Sequence, residues 1–147
     1  MGQYFIVCNF DKKELLDPSM FGDGMKLDEL VGRITGTLMG LTYLLALSGR
    51  GGGVEWRATD PMFGRWAGDR IAIVGDYYSE TVAGMTWDEE VWTRVSSSRD
   101  EWVDISEHVI PSIAAFFENR SPQANAYGMG PRSVLHPDGT VTAIPQP

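Results

Sequence analysis

The chain has 147 residues, a length that suits one domain able to bury about two-thirds of the surface its unfolded form would expose. Its 12 basic and 20 acidic residues give a formal charge of −8, without the basic stripe that phosphate backbones or anionic lipids require, so nucleic acid is not an expected direct partner. The 43% hydrophobic and 22% charged content is that of a globular protein, and a single cysteine excludes an intramolecular disulfide framework and any multi-thiolate zinc site.

Met1 to Val7 lacks the basic region and small-residue cleavage site of a secretory signal, so the expected compartment is the cytoplasm. Gly2 offers a myristoylation acceptor, but Ile6 stands where Ser or Thr is needed. Tyr4 to Phe10 is apolar and β-prone, and reads as a first strand ending at Asp11-Lys12-Lys13. Glu14-Leu15-Leu16 is expected to pair back onto it before Asp17-Pro18 stops the ladder. Phe21-Gly22-Asp23-Gly24 turns the chain into the longest periodic stretch. From Met25 to Leu47, apolar residues recur at Leu27, Leu30, Val31, Ile34, Leu38, Leu41 and Leu45, which predicts one long helix with a wide buried stripe. The apolar run is too short to cross a bilayer, and no membrane association is expected. Gly32, Gly36 and Gly40 lie on one face of that helix and are read as sites of close packing.

Ser48 to Gly53 is glycine-rich but follows a helix and lacks a closing Lys-Ser or Lys-Thr, so it is read as a loop and not a phosphate cradle. Val54-Glu55-Trp56 is expected to be a short strand. Arg70 to Val74 is β-branched and bracketed by Gly68-Asp69 and Gly75-Asp76, which predicts a central strand. Thr86 and Glu89 have capping-box spacing for a helix to Val95. Trp102 to Ile105 reads as a brief extended segment, and Ser106 as the N-cap of a helix to Asn119, with Pro111 marking a bend or a late start. Residues 121–132 are expected to be loop. Ser133-Val134-Leu135 and Thr140 to Ile144 flank His136-Pro137-Asp138-Gly139 as a β-hairpin, with residues 145–147 a frayed tail.

These elements predict one α+β domain over residues 1–147. A small, mostly antiparallel sheet takes the first strand, the 70–74 strand and the hairpin, and is covered by one long helix and two shorter ones.

Several spaced motifs resemble a known group. Met1-Gly2-Gln3-Tyr4 with Asn9 and Asp11-Lys12-Lys13-Glu14, then Phe21-Gly22-Asp23-Gly24 with Lys26-Leu27, then Trp66 with Gly68-Asp69-Arg70-Ile71 and Gly75-Asp76-Tyr77, are similar to short bacterial and phage proteins that open with MGQYY. The likeness covers residues 1–80, and Phe5 takes the place of the second Tyr. It implies a bacterial or phage cytoplasmic protein and carries no catalytic residues to transfer.

Trp66 to Tyr78 is the best place in the sequence for a site. Trp66, Asp69, Arg70, Asp76 and Tyr77 are the candidate ligand-binding residues, with Arg70 suited to a small anionic ligand and Asp76 suited to act as a base or to hold a divalent ion. Asp69 and Asp76 stand at opposite ends of one strand, about 20 Å apart, so each needs a partner from elsewhere. In the competing reading both Gly-Asp pairs are turns and Trp66 is core. His108 and His136 have no metal-ligand spacing and no metal is expected; His108, beside Glu107, is read as an exposed surface residue, and Cys8 as a buried, inert thiol. No Gly-x-Ser-x-Gly elbow is present, so hydrolysis by a serine triad is unsupported. Five Trp and five Tyr in an acidic chain favour a non-enzymatic binding protein acting on a protein partner. The alternative is a small-molecule or nucleotide-binding domain, with hydrolase activity as one form of it, centred on Trp66 to Tyr78.

Overall fold

The computed structural model describes residues 3–47, 60–76, 102–117 and 131–145. Four strands form one sheet: β1 (Phe5–Asn9), β2 (Glu14–Leu16), β3 (Ile71–Gly75) and β4 (Val103–Asp104), in the order β3-β1-β2-β4. β1 pairs antiparallel with β2, Val7 opposite Leu16, and with β3, Val7 opposite Ile73, whereas β2 and β4 run parallel. The sheet is therefore mixed. The strand predicted to be central stands at an edge among the described residues, because the ladder grows outward from β1. An all-apolar run such as Ile71-Ala72-Ile73-Val74 looks the same in sequence at either place.

Alternation along β1 sends Ile6 and Cys8 to one face and Val7 to the other, and both faces are covered. On the first face Val74, Leu15 and Trp102 enclose them, with Phe10 edge-on to Trp102 at a centroid distance of 5.6 Å. On the second, Val7 and Leu16 pack with Phe21, Trp66 and residues from two helices, α1 (Thr37–Leu45) and α2 (Ser106–Phe116).

The single helix predicted over 25–47 is instead two elements. A short 3-10 turn covers Leu27–Val31, and α1 begins only at Thr37. Gly32, Ile34, Thr35 and Gly36 in the gap, with the β-branched Val31 and Thr37 at its borders, concentrate weak helix formers there. Helix resumes where Asp23 supplies the missing cap: its Oδ2 accepts hydrogen bonds from Thr37 N at 2.7 Å and Thr37 Oγ1 at 2.8 Å. The glycines do separate jobs. A Cβ on Gly40 would lie 2.9 Å from Phe21 Cε1 and 3.2 Å from Val109 Cγ1, so this is the point of close packing between α1 and α2. A Cβ on Gly36 would strike the Asp23 carboxylate, and one on Gly32 would meet nothing nearer than a carbonyl of its own turn at 3.4 Å.

α2 runs through Pro111 to Phe116, and its cap is Ile105, not Ser106. Asp104 Oδ1 accepts from Ser106 N, and Ser106 Oγ instead accepts from Asp17 N. The C-terminal hairpin forms as predicted from β5 (Ser133–Leu135) and β6 (Val141–Ala143), with Gly139 at φ 88° in the turn. Among the described residues it makes its own two-stranded sheet and does not join the larger one. The readings of 48–53, 54–56, 86–95 and most of 121–132 fall outside the described residues; Arg132, the last of the predicted loop, is buried. Among the described residues no helix is long and apolar enough to cross a membrane.

Candidate functional site

The described part of the Trp66 to Tyr78 segment, residues 66–76, is drawn together with the β1–β2 turn. Asn9 is buried at the end of β1, and its Oδ1 accepts the backbone N–H groups of Asp11 and Lys12. Its Nδ2 donates to Asp69 Oδ2 at 2.8 Å, and Lys12 Nζ bonds the same oxygen. The Asn9 amide, then Lys12, hold the Asp69 carboxyl below its ordinary range. Arg70 donates its backbone N–H and its Nε to the carboxylate of Asp11, which lowers the Asp11 carboxyl in turn. At the far end of β3, Asp76 Oδ1 accepts from Tyr4 N at 3.1 Å.

Trp66 has no exposed surface, and its indole N–H donates to Glu14 Oε1 at 2.8 Å. Arg65 clamps the same carboxylate through Nε and a terminal nitrogen and reaches the Gly139 carbonyl of the hairpin turn with the other. Of the five predicted ligand-binding residues, Trp66 is thus enclosed in the core, while Asp69, Arg70 and Asp76 fasten the ends of β3 to the N-terminal segment. Tyr77 lies outside the described residues.

A second polar cluster was not legible in the sequence. Arg132 is 5% exposed, and its Nη1 lies 2.7 Å from both Asp17 Oδ2 and Asp104 Oδ2. Burial, then the nearby Asp17 charge, raises the Asp104 carboxyl above its ordinary range despite the arginine. Glu107 Oε1 accepts from the backbone N–H groups of Arg132 and Ser133 at 2.9 and 2.7 Å. His108 is not a surface residue as predicted: its Nε2 lies 3.0 Å from Ser133 Oγ and 3.1 Å from the Ser133 carbonyl oxygen.

A serine beside a histidine invites a nucleophilic reading, and the hydrogen bonds argue against it. A carbonyl oxygen only accepts, so His108 Nε2 carries the proton in that contact and is no base toward Ser133. The Ser133 hydroxyl points its own hydrogen to the Asp104 carbonyl oxygen at 2.8 Å, and the residue is 3% exposed. The cluster fixes the hairpin in place. Cys8 is fully buried, and burial pushes its thiol far up, away from the thiolate a nucleophile needs. Among the described residues, no group of three or more His, Cys, Asp or Glu side chains is arranged to hold a metal ion.

Among the described residues, one stretch leaves a run of aliphatic side chains open to solvent. Leu27, Val31, Ile34 and Leu38 are 56%, 60%, 63% and 46% exposed, and Leu45 stands seven residues beyond Leu38 on the same face of α1. These are the side chains that helical spacing assigned to a buried stripe. The broken helix turns them outward, while Leu30 and Leu44 face the core. Of the described tryptophans, Trp66 and Trp102 are both buried, while among the other described aromatics Tyr4 and Phe116 are exposed. Comparison with protein-family models, with curated proteins and with solved structures gives no match.

Proposed function

We propose that this chain is a non-enzymatic binding protein that acts on a protein partner in the cytoplasm of a bacterium or of a phage-infected cell. The observation that carries the reading is the exposed run Leu27, Val31, Ile34 and Leu38. Singly exposed apolar residues are ordinary, but four within the short stretch 27–38 are what a partner's apolar surface covers. Lys26, Asp28, Glu29 and Arg33 punctuate the run and give a polar rim of both signs, which suits a partner with an apolar centre and mixed charged margins. The polar groups of the rival small-molecule site support this choice, since Asp69, Arg70 and Asp76 already hold groups of their own chain.

The test compares wild type with Val31→Asp/Ile34→Asp in affinity capture from source-cell lysate, after circular dichroism shows that both fold. One protein species retained by wild type and lost with the variant supports the reading. An identical set of captured proteins, together with a small-molecule adduct in native mass spectra that disappears in Asp76→Asn, would replace it with the ligand-binding alternative.

A further inference from the structure

We infer that the partner on the exposed aliphatic face is a second copy of this chain, with the two α1 helices packed antiparallel about a two-fold axis; this deepens the reading above and rests on it. α1 turns Gly40, Tyr43 and Leu44 to the core, which leaves Leu38, Thr42 and Leu45 on the opposite side, four and three residues apart on one face. Leu41, between Leu38 and Leu45, is half-buried beside them. Apolar positions at this spacing form the seam into which another helix packs its own side chains.

Charge, symmetry and area select the occupant. From Ile34 to Leu47 the chain has no charged residue, although its formal charge is −8. Two copies repel each other through that net charge, and least where one charge-free face meets another. The seam also lacks the flanking charges by which a helix selects a different chain, and a second copy matches it by construction. The rim charges Lys26, Asp28, Glu29 and Arg33 all precede α1. Parallel helices would set each of them beside its like in the other copy, whereas antiparallel helices hold the two rims at opposite ends, in water. With the axis between Leu41 and Thr42, Leu38 of each copy lies over Leu45 of the other, and the short Thr42 side chains at the centre let the helices approach. The exposed parts of Leu27, Val31, Ile34, Leu38, Leu45 and Leu47 come to on the order of 600 Å² per copy, so two copies closing over them bury roughly 1,200 Å², the lower end of what a stable pair needs.

Sedimentation equilibrium of the purified full chain reads the pairing. Wild type is expected to pass from the mass of one chain to that of two across the micromolar range, and Leu38→Asp, at an exposed position, to weaken pairing about a hundredfold, because the change counts twice about the axis. Cysteine variants read the register and keep the test open if Leu38→Asp fails to fold. Thr42→Cys, which replaces an exposed hydroxyl, should form a disulfide between copies on oxidation with diamide, while the buried Cys8 stays out of reach. Leu38→Cys and Leu45→Cys should each stay uncrosslinked alone, the like positions being about 10 Å apart along the helix axis, and should cross-link when mixed. A wild type that stays single, a Thr42→Cys chain that does not cross-link, or a Leu38→Cys chain that cross-links with itself would overturn the inference. Lysate capture separates it from the reading it rests on. A single chain that still retains a foreign protein, lost with Val31→Asp/Ile34→Asp, overturns the pairing alone, and a single chain that retains none overturns both.

Discussion

At the scale of single residues, the polar side chains that stand out in the sequence act as fasteners. Asn9 shows this most directly: buried, it accepts two backbone N–H groups of the turn through Oδ1, and its Nδ2 depends on Asp69, sixty residues away in sequence. Removing that acceptor leaves a buried amide donor unpaired, and this costs about 1–3 kcal/mol. Asp69→Ala is therefore expected to lower unfolding stability in urea by that amount. Asp69→Asn, which keeps an oxygen for Asn9 and gives up only the partly exposed pairing with Lys12, should cost less than about 1 kcal/mol. Equal losses for the two variants would show that Lys12, and not Asn9, is the partner that matters. The sequence singled out Asp69 and Arg70 as candidate ligand-binding residues, and in the fold both bond groups of their own chain. It could not show that their partners are Asn9, Lys12 and Asp11, because nothing in local spacing reports which distant turn a strand end will meet.

At the scale of elements, close packing and helix propensity compete at the three glycines, and their surroundings decide the outcome. Gly40→Ala adds a methyl group 2.9 Å from a Phe21 ring that has no exposed surface and no room to withdraw. Overpacking of about 1–3 kcal/mol exceeds the roughly 1 kcal/mol gained in helix propensity, so the melting temperature should fall. Gly32→Ala meets only a carbonyl at 3.4 Å and should be neutral or mildly stabilising. The same competition explains what could be read in advance. β1, β2, β3 and the hairpin were legible because β-branched runs and a Pro-Asp-Gly turn are local signals. The 25–47 helix was misread because hydrophobic spacing was followed while Gly32, Gly36 and four β-branched residues argued for a break. That misreading also hid the candidate surface, since Val31 and Ile34 were assigned inward by the period of a helix that does not form there. The edge position of β3 among the described strands depends on which strands pair, and strand composition does not encode that.

At the scale of the whole molecule, the charged cluster at Arg132 binds the end of the chain to its beginning. Arg132 bridges Asp17, 115 residues earlier, and Asp104, 28 residues earlier, so the hairpin is anchored in the core by ion pairs as well as by Leu135 and Val141. Two carboxylates share one guanidinium nitrogen, which leaves Asp104 buried beside a like charge, and its carboxyl is raised above the ordinary value near 3.9. A folded state with a raised carboxyl pKa holds its proton more tightly than the unfolded chain does. The Asp104 contribution to stability is thus fully present below the ordinary value and is lost as pH rises through the folded value. The carboxylates Asp11, exposed, and Asp69, half-buried, whose pKa values are lowered, act in the opposite sense and lose their contribution as pH falls. Comparing wild type with Asp104→Asn at each pH cancels those common contributions. The stability of Asp104→Asn relative to wild type is expected to rise with pH from about 4 upward and then level off, in urea titrations followed by tryptophan fluorescence. A relative stability that instead falls over the same range would mean that the ion pair with Arg132 outweighs burial and the Asp17 charge, and that the clamp tightens as Asp104 ionises.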